Sequence, residues 1–487
     1  MCGILGEFSS VGNLSPKNDF LDILSISKNR GPNNTKYFSN NKIQFGFNRL
    51  SILDLNETGN QPITSNDKRY IMVYNGEVYN YLNLKKELEK HGILFVSTGD
   101  SEVLINAFSF YGVRKTIELI DGMFAIALYD MKLKRLHLIR DFAGIKPLYY
   151  AQNKESIFFA SQYDQILKFS NFKNNQINPD VFKLYLSLQY MPDPFGFYKN
   201  THQLSPGEIV TFNGNGEKKK EKYWELPKKQ THIISNKSHA IDYIQNSLEN
   251  SVKDQLISDQ PLGAFLSGGI DSPLICNFAN KNVNFNLKSF TIGSDSKVHD
   301  ESEDSGKYAK LIGLKHYITK MKGQDVSDIL EDTMKCITEP FADFSVIPTY
   351  LVSSIAKKYV SVVLSGDGGD ELFFGYERFW SIAKNLNIQH LPYFLKYSIY
   401  GLDRILSDNK YHNSASLFEK ESEAHQNLHT RFDLKMLNKI FPDLRSIDLP
   451  KKYGIYDYPK VRNEEDLLQL MRHSEFYGMM QKTLKKV

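Results

Sequence analysis

Short apolar runs, separated by Gly, Asn or Asp, characterise residues 1–215 of the chain. Some runs alternate apolar and polar positions and others are continuously apolar, and both patterns predict β-strands. The predicted strands cover residues 43–47, 70–74, 123–129, 136–139, 157–160 and 208–212. One helix is predicted over residues 81–90, with Leu84 and Leu88 on one face, and another begins near Asp100. Strands and helices in this order indicate an antiparallel α+β layer structure.

The pattern changes after residue 235, where helical stretches alternate with short apolar strands. The predicted strands here cover residues 261–266, 287–292 and 360–364. Such alternation is typical of βαβ units in a parallel, doubly wound α/β sheet. Ligands bind beyond the carboxyl ends of the strands in these sheets, so the loops after the three strands are candidate binding loops.

A charged segment, residues 217–222, separates the two patterns and follows Asn213-Gly214-Asn215-Gly216. It predicts a solvated hairpin or linker. We therefore predict two domains, over residues 2–215 and 235–487.

The composition excludes several classes of protein. The chain has 487 residues, of which 41% are hydrophobic, so it is not largely disordered. Its 60 Lys and Arg residues against 56 Asp and Glu give a net charge of +4, too weak an excess to indicate a nucleic-acid or anionic-membrane surface. No run approaches the roughly 20 apolar residues of a membrane helix, and no secretory leader opens the sequence.

Three cysteines, Cys2, Cys276 and Cys336, are too few for a disulfide scaffold and too scattered for a structural zinc site. They favour a reducing, cytoplasmic compartment. We predict that Cys276 and Cys336 are buried structural thiols. None of the 12 histidines is assigned to a metal-ligand pair.

Cys2 is a candidate nucleophile. If Met1 is removed, the thiol and the α-amine belong to the same residue. An α-amine has a pKa of about 7.7–8.0, so it would accept the thiol proton near neutral pH without a second residue as base. The alternative for Cys2 alone is a small buried apolar residue at the start of a strand.

The motifs that follow Cys2 favour the nucleophile. They are Arg30-Gly31-Pro32, Arg49-Leu50-Ser51-Ile52-Leu53-Asp54, Gln61-Pro62, Asn75-Gly76-Glu77-Val78-Tyr79-Asn80, Thr98-Gly99-Asp100-Ser101-Glu102, Asp121-Gly122-Met123-Phe124-Ala125 and Arg140-Asp141. In identity and order they resemble the class II glutamine amidotransferase domain, an N-terminal-nucleophile hydrolase sandwich. The resemblance covers about residues 2–215. It departs at Phe47, where the family often has His, and at Phe142, where it often has Arg.

The resemblance implies a catalytic set of Cys2, Asn75 and Gly76. It implies a glutamine site formed by Arg49, Leu50, Ser51, Ile52, Leu53, Asn75, Gly76, Glu77 and Asp100. Arg49 would bind the α-carboxylate of glutamine, and Glu77 and Asp100 its α-ammonium group. The Asn75 side-chain amide and the Gly76 N–H would face the developing oxyanion, where one donor is worth about 2.7–4 kcal/mol. Taken singly, a surface salt bridge, a turn or a helix cap would explain the same residue types.

The string Ser267-Gly268-Gly269-Ile270-Asp271-Ser272 lies between a predicted strand and a predicted helix. A Gly/Ser loop at a helix N-terminus binds phosphate oxygens through backbone N–H groups and hydroxyls. The loop lacks the Gly-Lys-Ser/Thr ending of a Walker loop. It resembles the pyrophosphate loop of N-type ATP pyrophosphatases.

A second string, Ser365-Gly366-Asp367-Gly368-Gly369-Asp370-Glu371-Leu372, follows the predicted strand 360–364. With it, the second half resembles asparagine synthetases of the glutamine-hydrolysing type, with Phe374 where the family commonly has glycine. The resemblance implies an ATP site at Leu266, Ser267, Gly268, Gly269, Asp271, Ser272, Ile292, Ser365 and Gly366. It also implies an acyl-adenylate contact at Asp367 and Mg²⁺ ligands at Asp271, Asp370 and Glu371.

The combined resemblance implies a glutamine-dependent asparagine synthetase. Glutamine would be hydrolysed at Cys2 through a thioester, and ammonia would pass internally to an ATP-activated aspartate, giving asparagine, AMP and pyrophosphate. Open alternatives are another carboxylate acceptor such as a sugar acid or peptide, glutaminase activity alone, or an inactive sensor. Expected partners are glutamine, ATP and aspartate, without nucleic acid or membrane. A homodimer is compatible with the sequence, which leaves the oligomeric state open.

The stretch from Leu467 to Val487 is apolar-periodic, with Leu470, Phe476 and Met479 among its hydrophobic positions. In the family a similar stretch precedes an Asp-Arg-x-Ser-Met motif and a later Lys-containing loop. We expect the second domain to be incomplete, with an uncovered apolar face and weak synthetase activity.

Overall fold

The computed structural model of the chain describes residues 1–229, 233–295, 300–321, 323–384, 386, 391–398, 420–432, 434–447, 454–459 and 461–486.

Two antiparallel sheets form the N-terminal half. Their strands are β1 (Gly3–Ser9), β2 (Asn34–Ser39), β3 (Ile43–Arg49), β4 (Ile63–Thr64), β5 (Tyr70–Val78), β6 (Gly122–Asp130), β7 (Arg135–Arg140), β8 (Tyr149–Gln152), β9 (Ser156–Ala160), β10 (Thr201–Gln203), β11 (Glu208–Phe212) and β12 (Lys218–Lys222). The strand order is β10-β8-β9-β1-β3-β2 in one sheet and β12-β11-β7-β6-β5-β4 in the other.

Helices cover the outer faces of both sheets. They are α1 (Lys17–Ser25), α2 (Tyr81–Lys90), α3 (Asp100–Tyr111), α4 (Val113–Leu119) and α5 (Tyr163–Lys168). A further helix, α6 (Pro179–Leu188), packs through Leu184 and Leu188 on Tyr190 and Phe341 instead. The sheets meet through alternate side chains of their strands, such as Phe45 and Val73, while the other face of β5 packs on α2 and α3. Since α1 and α5 cover the first sheet, the domain is a four-layer sandwich, and the predicted α+β class is confirmed.

The charged segment 217–222 contains the edge strand β12, which pairs with β11 across the turn at Asn213–Gly216. The predicted hairpin is therefore present. Three consecutive exposed lysines, Lys218 to Lys220, lie on this edge, where their charge discourages pairing with a further strand.

The second half contains strands β13 (Leu262–Phe265), β14 (Lys288–Ser294), β15 (Lys315–Met321) and β16 (Val362–Leu364). Its helices are α7 (Lys237–Asp254), α8 (Asp271–Asn282), α9 (Ser302–Ile312), α10 (Gly323–Cys336), α11 (Val346–Ala356), α12 (Gly369–Phe373), α13 (Glu377–Lys384), α14 (Glu421–His429), α15 (Leu434–Ile440), α16 (Glu464–Tyr477) and α17 (Met479–Leu484). Among the described residues, no helix is both long and apolar enough to cross a membrane.

The described strands of this half form a parallel sheet in the order β15-β14-β13-β16, which confirms the predicted α/β class. The chain adds β14 and β15 on one side of β13 and then returns to place β16 on the other side. The loops after β13 and β16 therefore open next to each other at the carboxyl edge, where such sheets bind ligands. Sequence inspection missed β15, because its Lys, His and Thr residues hide the apolar pattern of an edge strand.

The prediction for the two remaining cysteines is half wrong. Cys276 on α8 is buried, as predicted, and its thiol lies 3.7 Å from the carbonyl oxygen of Phe265. Cys336, the last residue of α10, is exposed. It stands at a helix end whose solvent side carries Asp332 and Lys335, so no apolar layer covers it.

The expectation of an uncovered apolar face at the C-terminal helices is wrong for the described residues; Val487 lies outside them. The stretch breaks at Gly478, so α16 and α17 turn around the core instead of continuing as one rod. Met471 packs on α13, and Phe476 and Met480 pack on Ala143 of the first domain. The apolar stripe is thus covered from two directions.

The contact between the two halves predicts the effect of shortening Phe476, which is 1% exposed. Phe476→Ala should lower the free energy of unfolding by about 3–5 kcal/mol, the usual cost of emptying a buried aromatic site. Urea unfolding followed by tryptophan fluorescence tests this, because Trp224 lies 5.7 Å from the Phe476 ring. The matched control is Phe285→Ala, 55% exposed, which should change the stability by less than about 0.5 kcal/mol. Equal effects of the two substitutions would contradict the packing described.

Candidate active sites

The first cavity, called the Cys2 cavity, has a volume of about 250 Å³ and lies between the ends of β1, β3 and β5. Eight of the nine residues predicted to bind glutamine line it, together with Cys2 itself. These are Arg49, Leu50, Ile52, Leu53, Asn75, Gly76, Glu77 and Asp100. Ser51 does not line the cavity; its backbone N–H donates to Asn33 Oδ1 at 3.0 Å.

The Cys2 thiol sits in a polar but enclosed position. The N–H of Leu50 donates to Sγ at 3.3 Å, and burial raises the pKa of the thiol. With Met1 present, the backbone N–H of Cys2 donates to Asn75 Oδ1 at 3.1 Å. This bond fixes the Asn75 amide and leaves its Nδ2 group buried without a hydrogen-bond partner among the described residues. A buried unpaired donor is costly, so this N–H₂ group is available for an acceptor that enters the cavity.

Arg49 ends β3, and the loop that follows holds its guanidinium in place. Nη1 donates to the carbonyl of Asn56 at 2.6 Å and to Asn60 Oδ1 at 3.0 Å, and Nη2 donates to the carbonyl of Leu53 at 3.1 Å. Gly59 permits this position, because a Cβ there would lie 2.1 Å from Nη2. The result is a buried cation at the cavity wall, fixed by neutral carbonyls rather than by a carboxylate.

Two carboxylates face the same cavity. Asp100 begins α3 and accepts hydrogen bonds from the Tyr74 hydroxyl at 2.8 Å and the Val78 N–H at 2.9 Å. Burial raises its pKa. Burial, and then the charge on Asp100, raises the pKa of Glu77 to about 7. Two neighbouring carboxylates at a cavity wall repel each other, and a ligand ammonium group would offset that repulsion.

Several lining residues were missed from the sequence. Gln61 exchanges hydrogen bonds with the Tyr74 backbone at 3.1 and 2.6 Å and so joins the wall to β5. Lys146 is 8% exposed and lines the cavity, and burial lowers its pKa. A lysine within the otherwise apolar run after Arg140-Asp141 was the available signal. Ser361 to Val363 of the second domain also line the cavity, and no local pattern could have predicted that.

The second predicted site, called the Asp271 cavity, has a volume of about 820 Å³ and lies at the carboxyl ends of β13 and β16. The predicted residues that line it are Leu266, Ser267, Gly269, Asp271, Ser272, Ile292, Ser365, Gly366, Asp367 and Asp370. The loop is held by its own serines, since the Ser267 N–H donates to Ser272 Oγ at 2.8 Å. Gly268 does not line the cavity; its N–H donates to Glu301 Oε2 at 3.0 Å.

The three acidic residues predicted to bind Mg²⁺ divide into two groups. Asp271 and Asp370 face each other, and burial followed by the charge of Asp370 raises the pKa of Asp271. Gly369 allows this approach, because a Cβ there would lie 2.4 Å from Asp271 Oδ2. A carboxylate pair of this kind fits a divalent cation. Glu371 does not line the cavity: α12 turns it inward, where it is 1% exposed and accepts from the Tyr376 hydroxyl at 2.7 Å.

A third cavity, of about 430 Å³, lies between the two sites. It shares Met1 with the Cys2 cavity and Lys486 with the Asp271 cavity. Its wall joins the two domains, since Glu339 Oε1 accepts from the Tyr149 hydroxyl at 2.8 Å and pairs with Lys485. Three cavities that share wall residues therefore lie between the thiol and the Asp271 loop.

The departures from the family pattern are absorbed by packing. Phe47 lies in the core between the two sheets. Phe142 packs edge-on against Trp224 at 5.2 Å. Phe374 adopts a left-handed φ of 60°, and its ring contacts Phe379 at 5.3 Å. Phe47 also lines the Cys2 cavity, whereas Phe142 and Phe374 line neither the Cys2 cavity nor the Asp271 cavity.

Comparison with known proteins matches both halves of the chain. The family described as a glutamine amidotransferase domain matches residues 1–224, and the family described as asparagine synthase matches residues 243–485.

Individual relatives agree. A putative glutamine-hydrolysing asparagine synthetase of Methanocaldococcus jannaschii is 35% identical over 422 residues, which cover 81% of this chain and 79% of that protein. Asparagine synthetase 1 of Bacillus subtilis is 32% identical over 77% of this chain, and the match spans 59% of that relative's length. Amidase chyE of Penicillium rubens is 28% identical over 73% of this chain and 54% of its own. One domain contains the Cys2 cavity, and the other contains the Gly/Ser loop after β13. The chain therefore belongs to the family of glutamine-hydrolysing asparagine synthetases.

Proposed function

We propose that the chain transfers the amide nitrogen of glutamine to the β-carboxylate of aspartate at the expense of ATP, giving asparagine, glutamate, AMP and pyrophosphate. The observation that carries the proposal is the series of three cavities between Cys2 and the Asp271 loop. Separate chemistries would occupy residues 2–215 and 235–487.

Glutamine hydrolysis would begin at the Cys2 thiol. After Met1 is removed, the freed α-amine accepts the thiol proton, and Sγ attacks the side-chain amide carbon of glutamine. The negative charge that develops on the amide oxygen meets the unpaired Asn75 Nδ2 and the Gly76 N–H. Collapse of this intermediate expels ammonia and leaves a γ-glutamyl thioester, which water hydrolyses to glutamate. Arg49, Glu77 and Asp100 hold the two charged groups of the substrate.

Ammonia would then cross the middle cavity. Met1 stands in the wall between this cavity and the Cys2 cavity, so its removal both frees the amine and widens the passage. An enclosed route keeps ammonia unprotonated, the form that acts as a nucleophile. The Lys485–Glu339 pair, 8% exposed on each side, forms part of the wall of this cavity.

Aspartate would be activated in the Asp271 cavity. Its β-carboxylate attacks the α-phosphorus of ATP and expels pyrophosphate, which the Ser267–Ser272 loop binds through its hydroxyls and N–H groups. Mg²⁺, held by Asp271 and Asp370, would neutralise the charge on the phosphates. Ammonia then attacks the acyl-adenylate next to Asp367 and displaces AMP.

Replacement of the nucleophile separates the two half-reactions. Cys2→Ala should reduce glutamine hydrolysis at least about 10³-fold, as expected when a covalent nucleophile is lost. Asparagine formation from ammonia should persist, because the Asp271 cavity is untouched. Glutamate release and amide formation are measured in parallel, with Cys276→Ala as the matched control, since Cys276 is a buried thiol that lines neither cavity. Appreciable glutaminase activity in Cys2→Ala would refute the nucleophile.

Glutamine use should depend on the ionisation of Glu77. With a pKa near 7, Glu77 is protonated in acid and is a carboxylate above pH 7. The substrate ammonium needs the carboxylate, so kcat/KM for glutamine should fall about tenfold per pH unit below 7 relative to kcat/KM for glutaramate. Glutaramate lacks the α-ammonium group and serves as the control substrate, because it should show only the limb set by the Cys2 α-amine.

The raised pKa of Glu77 also makes the free energy of unfolding depend on pH. The folded state holds a proton on Glu77 that the unfolded state loses above about pH 4.3, so this carboxyl disfavours folding as the pH rises toward 7. Glu77→Gln should therefore raise the urea midpoint at pH 8 and leave it unchanged at pH 4. A lower midpoint at pH 8 would contradict the assignment.

The identity of the acceptor is tested by ATP–pyrophosphate exchange. Aspartate should support exchange, and Asp271→Asn should abolish it without loss of glutaminase activity, because Asp271 lines only the Asp271 cavity. Asp295→Asn is the control, an acid outside that cavity. Exchange with a sugar acid or a peptide but not with aspartate would keep the chemistry and replace the acceptor.

A further inference from the structure

A cluster of potential metal ligands lies outside both cavities. His425 and His429 are on α14, and Glu475 is on α16. His425 Nε2 and His429 Nε2 lie 2.9 and 3.0 Å from Glu475 Oε1, and 3.3 Å from each other. His425 and Glu475 have no exposed side-chain area, and His429 has 6%. Three donor atoms thus converge on one enclosed point.

The spacing of these donors matches a zinc site. Zinc–ligand bonds of about 2.0–2.1 Å in a tetrahedron place neighbouring donor atoms about 3.3 Å apart. Two histidines four residues apart on a helix present both rings on one face, and the run His425-Gln426-Asn427-Leu428-His429 provides that spacing. The sequence analysis, which assigned no histidine to a metal-ligand pair, overlooked this spacing. Two imidazoles and one carboxylate form a donor set that zinc uses.

The surrounding groups orient the donors. Arg378 Nη2 donates to Glu475 Oε2 at 2.8 Å, which leaves Oε1 as the oxygen that faces the histidines. The Nδ1 atom of His425 lies 2.5 Å from the Tyr458 hydroxyl, so Nε2 is the nitrogen directed into the cluster. The Tyr456 ring stacks on His429 at 5.8 Å. Such outer contacts typically fix the rings and carboxylates of metal sites.

The contacts of Glu475 are concentrated on one of its two carboxylate oxygens. Arg378 pairs with this carboxylate. Glu475 Oε1 accepts from Arg378 Nε at 2.5 Å and also lies within hydrogen-bond distance of both imidazoles, so three groups share one oxygen atom. A carboxylate oxygen has two lone pairs, and a single ion between the rings and Oε1 would relieve this crowding.

We propose that His425 Nε2, His429 Nε2 and Glu475 Oε1 bind one Zn²⁺ ion that ties α14 to α16. The role is structural. A hydrolytic zinc site of the His-Glu-x-x-His type needs a glutamate directly after the first histidine as general base, and Gln426 occupies that position here. The ion would anchor α16, whose continuation in α17 leads to Lys485 and Lys486 in the cavities described above. This inference does not rest on the proposed reaction.

The test is zinc binding by the full chain. The untagged protein is treated with a chelator, its accessible thiols are alkylated to remove Cys2 and Cys336 as competitors, and excess Mg²⁺ is added to occupy the Asp271 carboxylates. Titration against a chromophoric zinc indicator should give one equivalent of tightly bound Zn²⁺. Co²⁺ in its place should give the visible absorption bands of a tetrahedral ion.

Matched variants assign the site. His429→Gln, at the least buried ligand, should weaken zinc binding by more than about 100-fold. Loss of a residue that only supports a ligand typically weakens metal binding by up to about 100-fold, so loss of a ligand itself should cost more. His239→Gln, on the exposed face of α7, should leave both the stoichiometry and the Co²⁺ spectrum unchanged.

Uptake of less than one equivalent by the wild-type chain, or equal uptake by His429→Gln, would overturn the proposal and leave a metal-free buried ion-pair network. If His429→Gln does not fold, anomalous diffraction from zinc-soaked wild-type crystals decides instead. A peak beside Glu475 Oε1 supports the site, and its absence there overturns it.

Discussion

Burial of the C-terminal helices α16 and α17 between the first domain and helices α12 and α13 of the second is the contact on which the rest of the molecule depends. Phe476 and Met480 fill the space between the domains, and Lys485 pairs with Glu339 at the same interface. Apolar burial of this kind is strong but not directional, whereas the buried Lys485–Glu339 ion pair holds its two side chains in one relative position. Because the middle cavity is bounded by both domains, any loosening of this contact would open the route between the two sites to water.

The Cys2 cavity illustrates how stability is exchanged for ligand recognition. A buried arginine held by carbonyls, two neighbouring carboxylates and an amide donor without a partner each make the empty cavity less favourable than an apolar one. A zwitterion with a terminal amide would satisfy all of these groups together. The raised pKa of Glu77 reflects the same free-energy cost of placing these groups in an empty cavity, and titration can measure it.

The order of strands in the parallel sheet creates the second site. Since β16 lies on the opposite side of β13 from β14, the loops bearing Asp271 and Asp370 meet at one edge. The short helix α12 then separates adjacent acids, with Asp370 facing the cavity and Glu371 facing inward toward Tyr376 and Glu475. The histidine cluster and the candidate nucleotide site are therefore linked by residues that follow one another in the chain.

The sequence by itself determined the two fold classes and half of the strands of the sandwich. It also named candidate site residues, nearly all of which line one of the two predicted cavities. It could do so because these residues lie in short motifs at strand ends, where local spacing sets both backbone and chemistry. Only the tertiary structure decided that Glu371 turns away from the cavity, that Val362 of the second domain lines the Cys2 cavity, and that His429 meets Glu475, which lies 46 residues away. Those contacts depend on how helices and domains pack, and packing is set by long-range burial that no local pattern records.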